Sequence, residues 1–134
     1  MEQMTDSTKA WPKGIFAITI FIDDLQTTKE FYLRVFGLPV DYEDNNSAVF
    51  KFGDLLINLL KTTAAQDLIQ PAAVADQDAG SRFVFTIHVD DVDAMCAELT
   101  ARGVKLLNGP MDRSWGVRTA SFIDPGGHIW EIAK

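Results

Sequence analysis

Residues 16–25 read Phe-Ala-Ile-Thr-Ile-Phe-Ile-Asp-Asp-Leu, and residues 83–92 read Phe-Val-Phe-Thr-Ile-His-Val-Asp-Asp-Val. Laid one on the other, Phe16, Thr19, Ile20, Asp23 and Leu25 fall on Phe83, Thr86, Ile87, Asp90 and Val92. Each copy is a run of β-branched and aromatic residues that stops at an acidic pair, the pattern of a strand delivering the chain to a helix N-cap. A repeat of this kind marks a duplicated module.

The helices follow from spacing. Leu25, Thr28, Tyr32, Val35 and Phe36 recur at three- and four-residue intervals behind Asp24, and Gly37 is placed to end the helix. Val92, Met95, Cys96 and Leu99 repeat the stripe behind Asp91, with Gly103 closing it. Beyond the first helix, Val40–Glu43, Ala48–Phe52 and Leu55–Lys61 read as strands separated by the turn formers Asp44–Asn46 and Gly53–Asp54. Beyond the second, Val104–Asn108, Val117–Ile123 and His128–Ala133 do the same, with Asp124–Gly127 as the last turn.

The expected fold class is therefore α+β, one domain of two βαβββ modules spanning residues 15–61 and 82–133. Ile15–Ile22 reads as a strand buried on both faces, and Arg82–Val89 as its counterpart. Residues 62–80 are either a linker or a partly helical excursion, and residues 1–13 form a loose arm.

Composition narrows the function classes. The 134 residues suffice for one sizeable core, and no apolar stretch approaches the roughly 20 residues of a membrane-spanning helix. The first thirteen residues lack the apolar core of a secretory signal, and the single cysteine, Cys96, lies on a helix stripe, so a reducing cytoplasm is expected. A net charge of −7 without a basic cluster argues against nucleic acid and against anionic membranes. No Gly-x-Ser-x-Gly elbow and no phosphate-cradling glycine loop is present.

The order of Asp24-Leu25, Phe31-Tyr32, Phe36-Gly37-Leu38, Asp90-Asp91-Val92, Trp115-Gly116-Val117-Arg118 and Asp124-Pro125-Gly126-Gly127 before Glu131 resembles the vicinal oxygen chelate superfamily. This is the glyoxalase, bleomycin-resistance and extradiol dioxygenase group, and the chain looks most like its bleomycin-resistance members. The resemblance implies that each module curls into a mixed half-barrel sheet with a concave ligand cavity, and that two copies pair as a homodimer. It also implies where metal ligands stand in metal-dependent members. Those places fall here on Ala17, Val84, Asn58 and Glu131, of which two are aliphatic and one is an amide. A divalent catalytic ion generally takes three or more protein ligands, so no resident metal or other cofactor is expected. His88 shares strand parity with Val84 but stands about 13 Å along the strand, too far to replace it.

Parity assigns Thr19, Phe21, Asn58, Thr86 and His88 to the concave face, an aromatic lining with a few hydrogen-bonding groups. Glu131 is either a general base or cation anchor, or it is paired with Arg118 in a salt bridge or stands at a water-lined edge. His88 serves as acid, base or ligand contact, or is a satisfied rim residue. Trp115, in a loop where periodicity does not force burial, is a stacking wall for a planar guest or a dimer contact. Arg118 offers its fork to a ligand carboxylate, or pairs Glu131 or Asp124. Trp130, Phe16, Phe83, Phe85 and Ile20 are assigned to the core, and His128 to solvent.

The function expected on these grounds is metal-independent binding and sequestration of a small organic drug or toxin, hence antibiotic resistance. The alternatives are a glyoxalase-like lyase or isomerase, or a dioxygenase-type enzyme, using Glu131, and a regulatory module whose dimer surface matters more than its cavity.

Overall fold

The computed structural model describes residues 14–134; the expected arm at residues 1–13 lies outside the described residues. The first module runs β1 (Ala17–Ile22), α1 (Leu25–Phe36), β2 (Val40–Glu43), β3 (Ser47–Phe52) and β4 (Leu55–Lys61). The second runs β5 (Phe85–His88), α3 (Val92–Ala101), β6 (Leu106–Asp112), β7 (Arg118–Ile123) and β8 (Ile129–Ala133), with α2 (Thr62–Ile69) and a short 3-10 turn (Gln77–Ala79) between the modules. The inter-module segment is thus the helical excursion rather than a plain linker.

Each module folds into a four-stranded mixed sheet, in the order β1-β4-β3-β2 and β5-β8-β7-β6. The strand that opens each module pairs parallel with the strand that closes it, Thr19 opposite Asn58 and Thr86 opposite Glu131. Both helices begin as their caps require: Asp24 Oδ1 accepts from the Thr27 amide at 3.0 Å, and Asp91 Oδ1 accepts from the Ala94 amide at 3.0 Å. The Thr27 amide and hydroxyl hold the Asp24 carboxyl below its ordinary range. Gly37 ends α1 in the left-handed region (φ 67°), its amide donating to the Leu33 carbonyl.

The two sheets turn their helix-bearing faces to one shared core. Tyr32 and Val35 of α1 meet Phe50, Ile57 and Leu59 of the first sheet and Phe122, Trp130 and Ile132 of the second. Tyr32, Phe36, Phe52, Phe85 and Trp130 form a continuous aromatic cluster across the module boundary, with Phe36 4.7 Å and Phe85 4.6 Å from the Trp130 ring. Burying one such side chain stabilises the fold by about 1.5–3 kcal/mol, so this seam ties the modules together.

Three expectations are corrected. Phe16 and Phe83, assigned to the core, are 80% and 50% exposed, because β1 starts only at Ala17 and β5 only at Phe85, and each residue precedes an edge strand. β1 is not buried on both faces: Ile20 and Ile22 are buried on the core side, whereas Thr19 and Phe21 stay half-buried on the other. β6 extends to Asp112 rather than ending at Asn108, since irregular pairing around Gly109 and Pro110 lets the strand continue along β7.

Candidate functional site

Because strand side chains alternate, the faces turned away from the shared core carry the polar residues. On the first sheet, Asn58 Nδ2 donates to Thr19 Oγ1 at 3.4 Å, and Asn58 Oδ1 is buried without a partner among the described residues. On the second, Thr86 Oγ1 donates to Glu131 Oε1 at 3.0 Å. The duplicated modules therefore place equivalent pairs, threonine with amide and threonine with carboxylate, at equivalent registers.

From Glu131 a polar row crosses the second sheet. Ser121 stands opposite Glu131 in the β7·β8 ladder, and its hydroxyl donates to Asn108 Oδ1 at 2.9 Å. Arg113 donates from Nη2 to the same oxygen at 3.2 Å and from Nε to Thr119 Oγ1 at 2.8 Å. Its guanidinium also lies over the Trp115 ring, 5.8 Å from the centroid. Trp115 is 69% exposed at the tip of the β6·β7 hairpin, which is closed by Arg113 and Val117. Glu131 is half-buried, and no ion pair reaches it among the described residues.

Phe21 is half-buried and His88 exposed on these same faces, with His88 opposite Ala133. Arg118 is placed elsewhere. It alternates with Thr119 and Ser121 and so points to the helix side, where Nε and Nη2 reach both oxygens of Asp93 at 2.9 Å and Nη1 reaches Asp112 at 3.0 Å. Hydrogen bonding to Asp93 and then Asp112 raises the Arg118 pKa further, and the same guanidinium holds the Asp93 carboxyl below its ordinary range. The pairing with Glu131 or Asp124 considered from sequence does not form.

Asn108, Arg113 and Ser121 were missed by sequence reading. Ser121 was findable, as the alternate polar position two residues after Thr119, between the apolar Ala120 and Phe122. Arg113 was not, because its reach depends on the hairpin geometry. His128, assigned to solvent, is a correction: its side chain is only 14% exposed, and Nδ1 lies 3.2 Å from Asp124 Oδ1. Cys96 is buried on the core-facing side of α3, and burial pushes its thiol up, away from reactivity.

For a divalent ion the donor set is thin. Ala17 lies opposite Leu56, Val84 precedes β5, and no group of three or more His, Cys, Asp or Glu side chains converges among the described residues. A separate cavity of about 490 Å³ opens on the helix side, between Val35, Phe36, Met95, Leu99 and Phe122.

Two βαβββ modules, each with an open, polar-lined sheet face, define a paired-module α+β fold. The chain belongs to the Glyoxalase/Bleomycin resistance protein/Dioxygenase superfamily, whose sequence profile matches residues 14–132. It is 33% identical over 124 residues to the uncharacterized protein YraH of Bacillus subtilis (strain 168), covering 90% of this chain and 97% of that one. It is 28% identical over 113 residues to the metallothiol transferase FosB of Lysinibacillus sphaericus (strain C3-41), covering 83% and 74%. In three dimensions it is similar to a glyoxalase/bleomycin resistance protein/dioxygenase from Nocardioides, with a TM-score of 0.83 at 20% identity over 98% of this chain and 91% of that one.

Proposed function

We propose that this protein is a metal-independent binder of small, planar organic molecules, of the bleomycin-resistance type, acting in the cytoplasm as a homodimer. The observation that carries the reading is a polar row across the second sheet: the Trp115–Arg113 platform, an exposed indole fixed by a guanidinium, stands at one end, and Asn108 and Ser121 lead from it to the Thr86–Glu131 pair, whose carboxylate has no ion pair among the described residues. Such a surface stacks a flat guest and attracts a cationic group on it. The net charge of −7 favours the same ligands. Aliphatic Ala17 and exposed Val84, where metal-dependent relatives need donors, support binding without a resident ion.

The direction of the two sheet faces supports a homodimer. Both concave faces point away from the core that joins the modules, so within one chain they do not close on each other. A second copy, laying its second module over the first module of this one, completes a cavity and supplies Asn58 Oδ1 with a polar environment. Titrating the protein with bleomycin and a panel of planar cationic drugs, while following tryptophan emission, tests the reading. Saturable quenching at one site per chain is expected, and the absence of quenching across the panel refutes it.

A second reading rests on the match to FosB, a metallothiol transferase by name. On this reading Glu131 binds an ion or acts as base, and Asn58 of a second copy adds an oxygen. Elemental analysis of protein purified without chelator separates the two: near-stoichiometric transition metal favours the enzyme, and metal-free protein that still binds drug favours sequestration.

A further inference from the structure

A second site lies away from Glu131, around the last turn. Asp124 is 3% exposed, and its carboxylate is fully engaged. Oδ1 accepts from the Gly126 and His128 amides, each at 2.9 Å, and from His128 Nδ1 at 3.2 Å. Oδ2 accepts from the Tyr32 hydroxyl at 2.7 Å and from Trp130 Nε1 at 3.5 Å. A carboxylate can only accept, so Nδ1 carries the hydrogen, and in the neutral tautomer Nε2 is then an acceptor of fixed direction. Gly126 makes this seat possible, since a Cβ there would stand 2.8 Å from Ile22 and 3.0 Å from the imidazole. An ordinary surface histidine needs no such arrangement.

The imidazole faces a cavity of about 430 Å³ along the open edge of β1, walled by Phe21 and Phe83 and rimmed by Asp76 and Arg82. The Phe83 ring centroid lies 6.1 Å from that of His128. The rim is fastened to the turn: Gln77 Nε2 donates to the Pro125 carbonyl at 3.2 Å, and Ser81 Oγ to the Gly127 carbonyl at 3.4 Å. Neither Asp76 nor Arg82 makes an ion pair among the described residues.

We propose that this cavity binds aromatic amino acids. The lining supplies one group for each part of such a ligand. Arg82 takes the carboxylate and Asp76 the ammonium, Phe21 and Phe83 sandwich the ring, and His128 Nε2 accepts from the ring's own N–H or O–H. The volume is that of a small-ligand pocket and holds a molecule of this size. Asp124 is a positioning residue that fixes the imidazole, with Tyr32 and Trp130 holding it from the core side.

The test is titration of the full chain with L-tryptophan, followed by amide ¹H–¹⁵N shifts. Saturable shifts at Ser81, Gly126, Gly127 and His128 are expected. His128→Phe keeps the ring volume, removes Nε2, and weakens binding about tenfold. Arg82→Gln, on the surface and without effect on folding, weakens it by a comparable factor, which keeps the proposal testable if the histidine variant is unstable. N-acetyl-L-tryptophanamide, lacking both end charges, binds more weakly than L-tryptophan, and Glu131→Gln leaves the affinity unchanged. No saturable shift in this turn up to the solubility of L-tryptophan would overturn the proposal. So would equal binding of the uncharged analogue, or shifts confined to the strands of Thr86 and Glu131.

Discussion

The hydroxyl of Tyr32, in the middle of α1, donates to Oδ2 of Asp124 at 2.7 Å, joining the first module's helix to the second module's last turn through a bond buried from solvent. Burial, then the Asp124 charge, raises the Tyr32 pKa well above its ordinary value. Tyr32→Phe leaves Asp124 one donor short and lowers unfolding free energy by about 1–3 kcal/mol, measured by urea titration. The sign with pH follows from the raised pKa: the tyrosine's contribution is complete below its unfolded value of about 10 and is lost as pH rises toward the folded one. Wild-type stability should therefore fall above pH 10 more steeply than that of the Tyr32→Phe variant.

On the acid side the Asp93–Arg118 pair sets the opposite slope. The Asp93 carboxyl is held below its ordinary range by the Arg118 hydrogen bond, so its contribution is present above the unfolded pKa and lost as pH falls through the folded one. Asp93→Asn should flatten the stability profile below about pH 4. The effect is small and shrinks in high salt, because the Asp93 side chain is 59% exposed. Thermal melts at low and high ionic strength read both.

Gly109 stands where β6 bends, at φ 84°, and a Cβ there would lie 2.5 Å from the Thr119 carbonyl oxygen and 2.7 Å from Ala120 Cα. Both contacts are backbone and cannot swing aside. Gly109→Ala should destabilise by more than about 1 kcal/mol, whereas the exposed β3–β4 turn position Gly53, with nothing within 4 Å, suffers only its own backbone strain. Parallel denaturation curves of the two variants check the ordering.

Trp115 is exposed at a hairpin tip and buries little on folding. Trp115→Ala should leave the melting temperature within about 2 °C of wild type, as for a surface substitution of up to ±0.5 kcal/mol. It should also abolish drug-induced quenching of tryptophan emission. Retained quenching would move the platform elsewhere.

Sequence alone carried much of this architecture because its signals were local. Asp24 and Asp91 cap their helices through amides three residues on, and the bounds of α1 and α3 follow from apolar spacing. The threonines of the concave face were legible too, since alternation places Thr19 and Thr86 whatever the partner strand. Where expectation missed, a non-local contact decided. Phe16 and Phe83 carry the composition of core residues, but exposure depends on which strands stand at sheet edges. Arg118 was open to several partners, and the direction of its strand in the folded sheet chose Asp93 and Asp112.

The duplicated βαβββ order, the helix ends and the absence of histidine or carboxylate at residues 17 and 84 were determined by sequence, because periodicity, capping and residue identity need no neighbours beyond a turn of chain. Only the tertiary structure decided that Tyr32, Asp124 and His128 meet, and that Arg113 reaches Asn108 and Trp115. Tyr32 and Asp124 are 92 residues apart in the chain. Their meeting is set by how two sheets share one core, a relation that no local pattern encodes.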